Sequence, residues 1–88
     1  MRRREEITAA ELELFEKAWY DRHLALEESG ERSEDPETLR EARRAAEGIR
    51  RDYGEDALGP YTDFEWGMLL GRLSALRWVL GDDWDSVY

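Results

Sequence analysis

This 88-residue chain predicts an all-α fold, a three-helix bundle. Three observations carry that prediction. Apolar residues recur at alternating spacings of three and four in three separate stretches, the period of one helical face. Each stretch opens on a capping residue and closes on a glycine. No stretch alternates apolar and polar residues as a half-buried strand does.

Helix 1 is predicted to open at "TAAE", with Thr8 as N-cap and Glu11 closing a capping box. Ile7 stands where a hydrophobic staple would, and residues 1–6 are expected to be flexible. The inward stripe runs Leu12, Phe15, Trp19, His23 and Leu26, and Gly30 follows as the closing residue. Helix 2 starts at "DPET": Asp35 caps it, and Pro36 sits at the first position, where its missing N–H costs nothing. Leu39, Ala42, Ala46, Ile49 and Tyr53 form its stripe, and Gly54 ends it. Small residues in the middle call for something bulky across Ala42 and Ala46. The linker "GEDALGPY" turns through Gly59 and Pro60.

Helix 3 opens with "TDFE", a capping box from Thr62 to Glu65. Its seam is Trp66, Leu69, Leu73, Leu76 and Leu80. Met68, Leu70, Trp78 and Val79 make its other faces apolar too, which predicts a buried, central helix. Gly81 ends it, and "DDWDSVY" reads as one more turn capped by Asp82 or Asp83. The expected architecture is one domain over residues 1–88, in which helices 1 and 2 form a hairpin and helix 3 packs into it.

Twenty-two acids oppose thirteen bases, for a net charge of −9. Residues 5–35 hold 11 of the acids and 3 of the bases. Such a surface repels nucleic acid and anionic lipid, so direct binding to either is not expected. There is no cysteine, which fits a reducing compartment. No apolar run backs the N-terminal arginines, and uncharged runs such as Trp66 to Gly71 are far too short to span a bilayer. A cytoplasmic location follows as the expectation.

Catalytic chemistry has little to work with. The single histidine, His23, falls on the core stripe of helix 1, where a satisfied structural histidine is the simpler reading. No nucleophile–base pair, phosphate-binding loop or metal-ligand spacing is present, and "DDWD" does not match a calcium loop. No enzyme activity, cofactor or metal is therefore expected. The dense basic segment "REARRAAEGIRR" is interrupted by Glu41 and Glu47. Its Arg43 and Arg50, and Arg44 and Arg51, are expected to pair with acids of helix 1.

Two features stand out from this plain background. Gly67, Gly71 and Ala75 line one face of helix 3 at spacings of four, although interior glycine costs about 1 kcal/mol relative to alanine. Either a ring from helix 1, Phe15 or Trp19, lies in that groove, or a second copy or partner helix does. Tryptophans are also abundant. Trp66 and Trp78 stand about 120° apart on the helix, so one core face cannot take both. Exposed tryptophan is enriched at binding hot spots, whereas packing by the C-terminal tail is the alternative.

The segment "GRLSALRWVLGDDWD", residues 71–85, resembles the C-terminal signature of short bacterial and phage proteins of no assigned activity. Their ending is similar to G-K-L-S-A-L-R-W-V-L-G-[DE]-x-W-D, and Arg72 stands where lysine is usual. The resemblance implies a fixed packing motif and no activity. Two functions remain in view. One is a small interaction module, an accessory or regulatory subunit or a homodimer, that binds protein through Trp66, Gly67, Gly71, Trp78, Trp84 and Tyr88. The other is a phage-type inhibitor whose Glu13, Glu16, Glu27 and Glu28 mimic nucleic-acid phosphates.

Overall fold

The computed structural model describes residues 1–84 of the chain. The fold is all-α. Its helices are α1 (Arg4–Ser29), α2 (Pro36–Tyr53) and α3 (Asp63–Val79), with a single 3-10 turn at Glu55–Ala57. No strand occurs among the described residues. The chain divides into two compact units, Met1–Ala18 with Tyr61–Tyr88, and Trp19–Pro60, so α1 belongs partly to each.

In the first unit, α1 starts four residues before the predicted Thr8 cap. The Arg3 carbonyl accepts the Glu6 and Ile7 N–H groups, and the Glu6 carboxylate accepts the Arg3 N–H at 3.3 Å. Glu6 also pairs with the guanidinium groups of Arg2 and Arg3. That closure replaces the predicted Thr8–Glu11 box and places Arg4 to Glu6, expected to be flexible, in the helix. Glu11 is used elsewhere: it accepts from Arg77 Nε at 2.9 Å, with both side chains largely covered. The Arg77 guanidinium also lies over the Phe15 ring, 5.5 Å from its centroid.

α3 is capped as predicted. Thr62 Oγ1 accepts the Glu65 N–H at 3.1 Å, and Glu65 Oε1 accepts the Thr62 N–H at 2.9 Å. Its other end closes through Gly81. The Gly81 N–H reaches the Trp78 carbonyl and the Asp82 N–H reaches the Arg77 carbonyl. This double return is a Schellman cap, and it needs the φ of +113° that glycine adopts without strain. Leu69 and Leu73 are buried, and Trp66, Leu70, Leu76 and Leu80 are half-buried beside them. The predicted seam is therefore the inner face. The central, wholly buried helix is not found: Phe64, Met68, Trp78 and Val79 are exposed. The predicted turn over "DDWDSVY" lies mostly outside the described residues. Asp82 and Asp83 are not helical.

In the second unit, Asp35 Oδ1 accepts the Thr38 N–H at 2.8 Å, with Pro36 next to it at the start of α2. Tyr20, Ala46, Ile49 and Leu58 form the core, with Trp19, Leu24 and Tyr53 packed against it. Tyr20 thus supplies a bulky side chain in the same core as Ala46, one of the two small residues of α2 for which one was expected. Buried positions change along α1. Ile7, Glu11, Leu14 and Ala18 are covered in its first part, and Tyr20, His23, Leu24 and Glu27 in its second. One 3–4 stripe cannot describe both, so Leu12 and Leu26, predicted inward, are exposed.

Candidate interaction surface

At about 100° per residue, Phe64, Gly67, Met68, Gly71, Ala75, Trp78 and Val79 fall on the side of α3 opposite Leu69 and Leu73. All seven are exposed. None carries charge, in a chain of which 40% is charged. Glu65 and Arg72 mark one edge of this face. Gly67, Gly71 and Ala75 form its floor, between a ridge through Phe64 and Met68 and a ridge ending at Trp78. The Schellman cap then turns the chain so that Trp84 meets Trp78 edge-on, with ring centroids 5.3 Å apart at 90°.

The glycine floor is open. A Cβ built at Gly67 or Gly71 meets nothing within 4 Å. The predicted ring from helix 1 does not lie there: Phe15 sits beneath Arg77, and Trp19 stacks on His23 at 5.2 Å. Of the residues predicted for an interface, Gly67, Gly71, Trp78 and Trp84 come together on this face. Trp66 does not, because it sits half-buried on the inner side. Tyr88 lies outside the described residues. Phe64, Met68 and Val79 complete the face without having been predicted as part of a site. A helical wheel centred on Gly71 would have collected them.

The predicted acidic surface is largely engaged. Glu13 pairs with Lys17 at 2.8 Å. Glu16 is half-buried, and Glu28 is exposed. Glu27 accepts from Arg43 Nε at 3.0 Å and Nη2 at 3.1 Å, and from Arg32 Nη1 at 3.0 Å. The Arg43–Glu27 pair is the predicted cross-pairing of the basic segment with helix 1. Arg50 turns elsewhere, to the Tyr20 hydroxyl and to Glu47. Arg44 and Arg51 are exposed.

Arg32, on the loop between α1 and α2, was not signalled by any sequence pattern. It grips Glu34 through Nε and Nη2 and holds that carboxyl down to about 2. It also donates to His23 Nδ1 at 2.8 Å. A guanidinium has no lone pair to give, so Nδ1 is the acceptor and the neutral ring carries its proton on Nε2. Burial, and then the Arg32 charge, push the His23 pKa below its ordinary value. This cluster ties the loop between α1 and α2 to the last turns of α1, and Arg43 of α2 joins it at Glu27. It presents no nucleophile, and its histidine faces a cation.

The unfolded chain takes up a proton at the ordinary histidine value near 6.5, whereas the folded chain resists it. Unfolded molecules then bind more protons, so stability falls as pH drops below about 6.5. The measurement is urea unfolding between pH 7.5 and 5.5. Wild type should weaken across that range, and H23Q should not. The depressed carboxyls of Glu27 and Glu34 add a separate loss, present only below their ordinary value near 4.5. An unchanged slope in H23Q would disprove the assignment.

The chain matches no family model, no curated protein and no solved structure. No helix among the described residues is long and apolar enough to cross a membrane.

Proposed function

We propose that the chain is a small protein-interaction module, an accessory or regulatory subunit without catalysis of its own, that works in the cytoplasm. Its binding surface is the outer face of α3 together with Trp84. The single observation behind this is the uncharged strip of Phe64, Met68, Trp78 and Val79 over an open glycine floor, on an otherwise heavily charged chain. Contiguous exposed apolar patches of this kind mark interaction sites. Trp78 has the character of a hot spot: large, amphipathic and exposed on the patch beside the Trp84 ring.

The test is capture of protein partners from the native host on the immobilised chain. Trp78→Ala should lose at least about 2 kcal/mol of binding, or about 30-fold in affinity, with its helical circular dichroism unchanged. Equal capture by the folded variant would overturn the proposal.

An acidic mimic of nucleic acid, of the kind phage-encoded inhibitors use, is the second reading, and the net charge of −9 favours it. Glu13 and Glu27, however, already serve as partners for Lys17, Arg32 and Arg43. A mimic would be displaced from its target by excess DNA, and an apolar interface would not.

A further inference from the structure

We propose that the partner on the outer face of α3 is a second copy of this chain, docked antiparallel about a two-fold axis at Gly71. This rests on the interaction-module reading and names its partner. Phe64, Met68, Trp78, Val79 and Trp84 are 75%, 40%, 52%, 55% and 64% exposed. At roughly 200 Å² for a large side chain, they offer about 600 Å² of apolar surface. Two copies pressed together would bury about 1,200 Å², the lower end of what stable, specific pairs use.

The face has the symmetry that such a pair needs. An isologous contact joins one patch to itself. Counting from Gly71, Phe64 lies seven residues before and Trp78 seven after, and Gly67 and Ala75 lie four before and four after. An antiparallel two-fold axis therefore sets Gly71 on Gly71, Gly67 on Ala75 and Phe64 on Trp78. Two helices crossing in this way approach most closely at the centre and diverge towards the ends. Small residues stand at the centre, and large rings at the ends.

Three further observations favour a copy in this orientation. The two glycines weaken α3, and no side chain of the described residues uses the space they leave. Close backbone approach by another helix uses it. Glu65 and Arg72 lie on the same edge of the face, and an antiparallel axis brings like edges together, so each Arg72 stands on the side of the second copy's Glu65. The helix dipoles then oppose, whereas parallel docking would align them and set the acidic first turns, Asp63 and Glu65, against each other.

The experiment is sedimentation velocity on the full chain up to about 300 µM, followed by single-cysteine cross-linking in a chain with no native cysteine. Wild type should dimerise, and more strongly at higher salt, because each copy carries −9. G71L should stay monomeric at concentrations where wild type is dimeric, while its helical circular dichroism is retained, since nothing within the chain touches that position. W78A is the second variant and should weaken dimerisation likewise. G71C should form a disulfide with itself, G67C should link to A75C, and G67C alone should not self-link. Monomeric wild type, a G71L dimer as tight as wild type, or equally ready self-linking of G67C and G71C would each overturn the proposal. Monomeric wild type that still captures a host protein through Trp78 removes the second copy and leaves the interaction module standing. Loss of both removes both.

Discussion

Replacing Leu73 with alanine is expected to cost about 2–5 kcal/mol. Leu73 is only 1% exposed and is the large side chain most completely enclosed among the described residues. Its removal loses the transfer free energy of the buried atoms and leaves a void that neighbouring helix backbones cannot fill. Domains of this length hold on the order of 5–10 kcal/mol in total, so the variant should sit close to its unfolding transition at room temperature. The measurement is the urea midpoint by circular dichroism, compared with that of R44A at an exposed position of α2, which should change by well under 1 kcal/mol. A loss at Leu73 no larger than that at Arg44 would mean that α3 buries a different face.

Tyr20→Ala should be as damaging, at about 3–5 kcal/mol, because it empties the core that α2 builds its small residues around. Tyr20→Phe separates ring from hydroxyl. It keeps the packing and loses only the hydrogen bond that Arg50 Nε donates to the hydroxyl at 3.1 Å, for a cost of about 1 kcal/mol. If the phenylalanine variant were as unstable as the alanine variant, the hydroxyl and not the ring would hold the unit together. Thermal unfolding of the pair decides it.

The helix ends explain how far the sequence could be read. Asp35 with Pro36, and Thr62 with Glu65, are local signals, complete within four residues, and both operate as their spacing implies. Thr8 and Glu11 have the same spacing but lose to Arg3 and Glu6, because Glu6 accepts the Arg3 N–H and gathers two extra cations; arginine is not among the usual capping residues, so the sequence did not signal that start. The inner seam of α3 was legible from its leucines. Which apolar residues faced outward was not, since a helix apolar on several sides does not announce its inner face. Phe64 was hidden among the capping residues of the first turn. Tyr20 and Leu24 were missed for another reason: α1 covers different positions in its two parts, and a single period averages them away. Arg32 belongs to no periodic element, and only the folded chain brings it to His23, Glu27 and Glu34.

The edge-on contact of Trp78 and Trp84 gives the protein an optical label of its own. Two indoles 5.3 Å apart are close enough for their electronic transitions to couple, and paired bands of opposite sign in circular dichroism are the expected signature. Trp19, stacked on His23, belongs to the other unit and supplies a separate signal. A ligand that settles on α3 would perturb the Trp78–Trp84 bands and blue-shift their emission. Occupancy of that face can therefore be followed in unmodified protein, without a dye or a tag.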